Sequence, residues 1–310
     1  MKSQETVLPG KYINMAKIKP LYPFDSHYQD IRGFQYHYVD EGHGEPLVMV
    51  HGNPTWSFFF RSLIKGLSGN FRTLAPDHIG CGLSEKPDEK NYPYDLKSRV
   101  EDLDAFLDKL GLNQKLTFIV HDWGGMIAMA WATLHPEKIG RLVILNTSAF
   151  MPPGGKRIPL RLQVIRRIRP LAGPAVLGLN LFALGALVMG PKKKLAKDVK
   201  RGLIAPYNCR ACRTATLKFV QDIPLKKSDP AYAIVRQTEQ GLHRLENIPM
   251  LILWGAHDFV FDMDYFREWQ RRFPNARCRV FSDAGHYILE DVPDKVLEHI
   301  RTFLIEHPLV

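Results

Sequence analysis

Short apolar runs that stop at small-residue turns and give way to helix-patterned segments recur along this chain. That alternation constrains the fold more than any other feature. The runs cover residues 46–50, 72–75, 116–120, 141–145, 250–254 and 278–281. Helical spacing follows at 57–67, 96–110, 126–135, 263–273 and 293–306, as in Val100, Leu103, Phe106, Leu107 and Leu110. Buried strands alternating with helices predict a mostly parallel sheet covered on both faces. No internal repeat interrupts the pattern.

The alternation breaks once, between Thr147 and about Asn247. A connection of that length inside such a sheet needs structure of its own. The expected organisation is therefore a core of residues 1–146 and 248–310 with an inserted helical cap at 147–247. Charge divides along the same line. The chain carries 42 Lys and Arg against 32 Asp and Glu, a formal +10. Residues 151–201 hold 12 basic residues and the single acid Asp198, which is +11 and leaves −1 for the remainder. A neutral body with one basic insert argues against a nucleic-acid binder and for a local anionic contact.

The four cysteines, Cys81, Cys209, Cys212 and Cys278, show no framework spacing. Cys209 and Cys212 form a C-x-x-C without the second pair that a zinc site needs, so two structural thiols in a reduced compartment are expected. The N-terminus lacks the apolar core and cleavage site of a signal peptide, which predicts a cytoplasmic location. No metal and no cofactor is expected.

The chemistry concentrates at three strand ends. His121-Asp122-Trp123-Gly124-Gly125 follows the run at 116–120 and has the strand–turn–helix form of a nucleophile elbow, with Asp122 at the apex where Ser is usual. A carboxylate attacks carbon without prior deprotonation and leaves an ester. A plain Asp at a helix N-terminus is the alternative, but it leaves the other two members unexplained. His286 follows the last strand, and Asp258 follows the strand before it, giving the order nucleophile, acid, histidine. Asp122 needs no base, so His286 is assigned to water activation against the covalent intermediate, oriented by Asp258. The residue after the run at 141–145 is Asn146, which cannot balance an imidazolium, so Asp258 is preferred as the acid. His257 and Asp262 are read as structural. In His51-Gly52-Asn53-Pro54 the backbone N–H of Asn53 is an oxyanion donor, with its side-chain amide facing the apex. The backbone and indole N–H groups of Trp123 complete the cradle.

Together His51-Gly52-Asn53-Pro54-Thr55-Trp56, the segment from Pro76-Asp77 to Pro87-Asp88, His121-Asp122-Trp123-Gly124-Gly125 and Gly285-His286 resemble the haloalkane dehalogenase superfamily of α/β-hydrolases. The resemblance covers nearly the whole core. It implies an α/β-hydrolase fold, an Asp122–His286–Asp258 triad and a halide-stabilising pair made by Asn53 and Trp123. Within the superfamily the sequence is more similar to the β-lactone decarboxylases of bacterial long-chain olefin biosynthesis, through Pro76-Asp77-His78-Ile79-Gly80, Gln221-Asp222-Ile223-Pro224-Leu225 and the stretch from Ala284 to Asp291. That likeness implies opening of cis-3,4-dialkyl oxetan-2-ones to a cis-alkene and carbon dioxide. Haloalkane hydrolysis is the alternative. Epoxide hydrolysis is a weaker one, because it needs two cap tyrosines and the insert offers only Tyr207 and Tyr232.

Residues 171–190 are uncharged and lie between Arg166-Arg167-Ile168-Arg169 and Lys192-Lys193-Lys194. Their number would span a bilayer, but Pro174, Asn180 and four glycines argue against a continuous helix. The expected partner is a small apolar substrate, with this segment lining its tunnel. The second reading makes the basic apolar segment 166–201 a docking surface for a membrane or a multienzyme assembly.

Overall fold

The structure is a computed structural model that describes residues 6–8, 10–11, 13–156 and 173–309. One eight-stranded sheet organises it, in the order β1-β2-β4-β3-β5-β6-β7-β8. Strands β3 (Pro46–Val50), β4 (Arg72–Pro76), β5 (Leu116–Asp122), β6 (Ile139–Thr147), β7 (Met250–Gly255) and β8 (Arg277–Phe281) correspond to the six apolar runs. From β4 to β8 all pairings are parallel. Every residue of β3, β5 and β7 is buried, as expected of strands covered on both faces.

Two strands had no counterpart among the apolar runs. Strands β1 (His27–Ile31) and β2 (Phe34–Glu41) form an antiparallel hairpin, and β2 pairs antiparallel with β4. The sequence of β2 alternates polar and apolar side chains, and the turn is Arg32-Gly33, both at positive φ. These are the signals of an edge hairpin, which a search for continuous apolar runs passes over.

Helices α1 (Arg61–Leu67), α2 (Leu96–Lys109) and α3 (Trp123–Ala132) alternate with the strands of the first half. Helix α3 begins three residues before the expected 126, directly at the elbow. The segment joining β6 to β7 contains α4 (Leu181–Met189), α5 (Lys197–Ile204), α6 (Thr214–Gln221) and α7 (Pro230–Gly241). Helices α8 (Met263–Arg272) and α9 (Pro293–Glu306) close the chain. Two features bear on the expected division of 1–146 and 248–310 from 147–247. β6 continues through Thr147, one residue into the segment read as cap. Helix α7 packs on α2 and α3 of the core instead of forming part of a separate lid, because Ala231 and Val235 join the apolar cluster of that sheet face.

Cys209 and Cys212 are joined in a disulfide, so the reading as two thiols is corrected. A tight turn ending at Ala211–Arg213 brings their Cα atoms to 5.0 Å, within disulfide reach. Cys81 and Cys278 are free. Among the described residues, no helix is long and apolar enough to cross a membrane. Of the segment 171–190, residues 171 and 172 lie outside the described residues, as do the basic residues from Arg157 to Arg169. The rest breaks at Asn180, whose φ of 56° is left-handed, between the π-helical turn Gly173–Gly178 and α4.

Candidate active site

Strand β5 sits in the middle of the sheet between β3 and β6, and its last residue is Asp122. The backbone there adopts φ 52° and ψ −130°, a left-handed conformation that a residue other than glycine rarely takes. This sharp reversal lets α3 start at the next residue and lifts the Asp122 side chain off the sheet. Neighbouring glycines make room for the reversal. A Cβ on Gly52 would strike the Asp122 carboxylate, and one on Gly124 would strike the Val50 carbonyl.

The carboxylate is held from two sides. The Asn53 N–H donates to Oδ1 at 2.6 Å, and the Trp123 N–H also donates to the carboxylate at the start of α3. Oδ2 lies 3.6 Å from His286 Nε2. Burial raises the Asp122 pKa above the ordinary carboxylate value, against the opposing pull of His286 and the two backbone donors. The site therefore strips water from this carboxylate while fixing its orientation.

His286 Nδ1 lies 2.8 Å from Asp258 Oδ2. Burial disfavours the imidazolium, but Asp258 and then Asp122 outweigh it, and the His286 pKa ends up raised. Asp258 is fixed in turn. Its Oδ1 accepts the N–H groups of Val260 and Phe261 at 2.7 and 3.0 Å, and its Oδ2 accepts Asn146 Nδ2 at 3.0 Å. Asp122, His286 and Asp258 thus meet in one buried chain of contacts.

Asn146 has a larger part than its dismissal as an acid suggested. Its amide also brackets Gly255, donating to the carbonyl at 3.2 Å and accepting the N–H at 2.8 Å. It ties β6 to β7 and holds the acid loop under the imidazole. Replacing Asn146 with Ala leaves the Gly255 N–H unpaired and removes one donor from Asp258. The expected result is a loss of about 1 to 3 kcal/mol of stability together with a slower turnover, measured by thermal denaturation and initial rates. An unchanged variant would remove this role. His121 is a second residue with no role in the sequence reading. Its Nε2 lies 2.8 Å from the His286 carbonyl, and burial, then the neighbouring His286, lower its pKa well below the usual value. A neutral His121 is the donor that holds the backbone of His286.

The oxyanion pair is partly as expected. Trp123 and Asn53 both line the cavity with Asp122 and His286. The Asn53 amide, however, donates to the Thr216 carbonyl of α6 at 3.1 Å instead of aiming only at the apex, and its Oδ1 is buried without a partner. The physical reason is that helix α6 closes over this wall and presents a carbonyl that the loop sequence could not reveal. Phe219 of the same helix packs on the Trp123 ring at 5.5 Å and carries the Arg99 guanidinium at 3.6 Å.

Behind the loop, buried Asp77 accepts the N–H groups of Ser57 and Leu83 and contacts His37 Nδ1 at 2.8 Å. Burial alone would raise its pKa; His37 and His51 hold it well below the usual range. His51 accepts the His78 N–H at 3.1 Å through Nε2, so it braces the loop and does not face the cavity. Asp262 caps α8 and His257 is exposed, consistent with structural roles.

The cavity measures about 390 Å³ and is mainly apolar, with Met126, Phe150, Val176, Phe182, Val220 and Phe261 among its walls. This is the size and lining of a small-molecule site. Neither Tyr207 nor Tyr232 reaches it; the Tyr207 hydroxyl donates to the Thr55 carbonyl at 3.4 Å. The tyrosines that line it, Tyr265 and Tyr287, come from the core.

A strained elbow on a central parallel strand, a buried triad and an apolar cavity closed by helices inserted after β6 define an α/β-hydrolase. The chain belongs to the α/β hydrolase fold family, whose sequence model matches residues 45–293. Within that family it is 46% identical to a cis-3-alkyl-4-alkyloxetan-2-one decarboxylase of Shewanella oneidensis, over 92% of this chain and 90% of the relative. It is also 32% identical to haloalkane dehalogenase 2 of Mycobacterium tuberculosis, over 89% of this chain and 93% of the relative. The crystal structure of a haloalkane dehalogenase from Agrobacterium tumefaciens superposes with a TM-score of 0.79 at 24% identity, covering 91% of this chain and 96% of the other, which establishes likeness of fold.

Proposed function

We propose that this protein opens cis-3,4-dialkyl oxetan-2-ones and releases carbon dioxide and a cis-alkene, with Asp122 as nucleophile. The observation that carries this reading is the 46% identity with a cis-3-alkyl-4-alkyloxetan-2-one decarboxylase across 92% of the chain. The site supports it: a desolvated carboxylate faces a mainly apolar cavity of about 390 Å³.

The carboxylate oxygen that Asn53 does not hold attacks C4 of the ring from the face opposite the ring oxygen. The bond from Asp122 to C4 forms, the bond from C4 to the ring oxygen breaks, and that electron pair makes a substrate carboxylate. The C2–C3 bond then breaks, its pair becomes the C3–C4 double bond, and the Asp122 oxygen leaves C4 as the free carboxylate. Inversion at C4 followed by anti elimination converts a cis lactone into a cis alkene. No water and no proton is consumed. Attack at the carbonyl would leave oxygen bonded to C4, to be expelled later as a poor leaving group.

In this sequence Asn53 and Trp123 stabilise the carboxylate that forms on ring opening. His286 acts through its charge. Alkylation of Asp122 removes one anion from beside the imidazole, but the opened lactone supplies another, so the His286 pKa stays raised and the imidazolium is favoured over the neutral ring that would activate water. A departing halide leaves no such anion tethered in place. The pKa of His286 then falls, and the neutral imidazole can activate water, as the haloalkane reading requires. Haloalkane hydrolysis is the second reading, supported by the 32% identity with haloalkane dehalogenase 2. Neither Tyr207 nor Tyr232 lines the cavity, which counts against epoxide opening.

Three assays on one preparation separate these readings: alkene from a long-chain cis-β-lactone, bromide from a 1-bromoalkane, and diol from an epoxide. The expected outcome is multiple turnover of the lactone alone or with much slower bromide release. Bromide release with an untouched lactone would refute the proposal. The raised Asp122 pKa adds a pH signature. The reactive form is the carboxylate, so lactone turnover declines as pH falls through a value above the ordinary carboxylate range. Decline only in the ordinary range would contradict the desolvated nucleophile.

A further inference from the structure

Helix α4 (Leu181–Met189) is apolar around its whole circumference, and only two of its three sides are used inside the protein. With about 100° between successive residues, Phe182, Gly185, Ala186 and Met189 occupy one side and line the active-site cavity. Ala183 and Leu187 occupy a second side and are buried, Leu187 in the core cluster. The third side carries Leu181, Leu184 and Val188, which are 53%, 42% and 74% exposed, and Leu179 just before the helix is 67% exposed. Single exposed apolar residues are ordinary; three on one side of a helix, with a fourth two residues before its start, are not.

Two further observations say what covers this side. Leu181 and Met189 line the cavity and are also solvent-exposed, at 53% and 39%, so the apolar face borders the mouth of the site. Exposed Lys192, Lys193 and Lys194 follow the helix directly, and α5, which packs against α4, adds Lys197, Lys200 and Arg201 with the single acid Asp198. Outside residues 151–201 the chain sums to −1. Six of the 12 basic residues of 151–201 follow α4 or lie on α5, so positive charge stands beside this apolar face.

We infer that the outer side of α4, from Leu179 to Val188, with Lys192, Lys194 and Lys197 at its edge, seats on an anionic lipid bilayer and opens the active-site cavity toward the hydrocarbon. An apolar helix face rimmed by basic residues is the arrangement that rests in a membrane interface, the leucines entering the acyl boundary and the lysines meeting phosphates. The inference builds on the proposed function, because a dialkyl lactone and its alkene both partition into lipid. A mouth placed on the bilayer lets substrate and product exchange without crossing water.

The test is co-sedimentation of the full chain with vesicles of phosphatidylglycerol and phosphatidylcholine, against vesicles of phosphatidylcholine alone. The wild type sediments with the first and far less with the second. Leu184→Asp combined with Val188→Asp, at positions that do not line the cavity, lowers partitioning at least tenfold. Lys192→Gln, Lys194→Gln and Lys197→Gln together lower it on the order of a hundredfold. Thermal denaturation and turnover of a short, water-dispersed lactone match the wild type in both. If the aspartate pair fails to fold, Leu184→Gln with Val188→Thr gives the same reading on a milder scale. Absence of wild-type binding to anionic vesicles overturns the inference, as does binding that ignores both variants. A wild-type dimer that Val188→Asp dissociates also overturns it, since a second copy then covers the face. If no lactone is turned over yet vesicle binding depends on these residues, the proposed reaction fails and the membrane contact stands.

Discussion

Replacing Asp122 with Ala abolishes lactone decarboxylation, with a loss on the order of 10⁴-fold or more in kcat/KM and no loss of fold. The expectation follows from the elbow. Asp122 is the only residue at the end of β5 whose backbone is reversed by φ 52°, and both the Asn53 and Trp123 N–H groups converge on its carboxylate. No neighbouring carboxylate can substitute, because Asp258 is turned away and committed to His286 Nδ1 at 2.8 Å. Removing a covalent nucleophile leaves only what binding and the fixed donors contribute. Ala keeps the strained backbone that Asp already holds there and relieves burial of a charge, so the variant is expected to be about as heat-stable as the parent. The check is alkene formation by gas chromatography beside a thermal denaturation curve. A folded Asp122→Ala protein that still makes alkene at a hundredth of the parent rate would remove Asp122 from the chemistry.

Replacing His286 with Phe separates the two chemistries that the site could perform. Haloalkane turnover needs water to be deprotonated against the Asp122 ester, so the variant stops after one alkylation. Intact mass then shows the protein carrying one alkyl group, with one equivalent of bromide released. Decarboxylation through C4 needs no proton transfer, so it slows without stopping. The expected decrease is about a hundredfold, the low end of what a positioned acid–base group contributes, because the imidazolium 3.6 Å from Asp122 Oδ2 no longer stabilises negative charge. If decarboxylation is as completely lost as hydrolysis, His286 moves a proton in the lactone reaction and the route through C4 is wrong. Wild-type pH profiles carry the same distinction. Asp258 and Asp122 outweigh burial and raise the His286 pKa. Hydrolysis needs the neutral ring and therefore grows as pH rises through the value that His286 holds in the ester. Decarboxylation lacks that alkaline rise.

The three candidate residues were legible because each stands at or soon after the end of a strand, and strand ends in a parallel sheet are marked locally. Apolar runs stop, small or polar turn residues follow, and the candidate side chain stands within a few residues of the strand's end: Asp122 closes β5, Asp258 comes three residues after β7 and His286 five after β8. Asp122, His286 and Asp258 all obey that rule. Asn146 obeys it too, yet its role was hidden, because a neutral amide matters only through partners on β7 and the loop after it, more than a hundred residues away in sequence, Gly255 and Asp258. The Asn53 amide shows the same limit in reverse. Its loop is readable, but the carbonyl it meets belongs to Thr216, which α6 brings across from the far side of the chain. The hairpin of β1 and β2 escaped because edge strands alternate polar and apolar residues instead of running apolar.

By itself, the sequence determined the alternating architecture, the order of the triad and the location of the excess charge, since each is written in neighbouring residues. Only the tertiary structure decided which residues of the long insertion serve the site. Helix α7 looks like part of a cap in sequence and packs on the core. Helix α4 looks uniformly apolar, and no pattern along it distinguishes its three sides. The cavity, the core cluster and the solvent make that distinction, because they surround the helix in space while its sequence offers each of them the same kind of side chain.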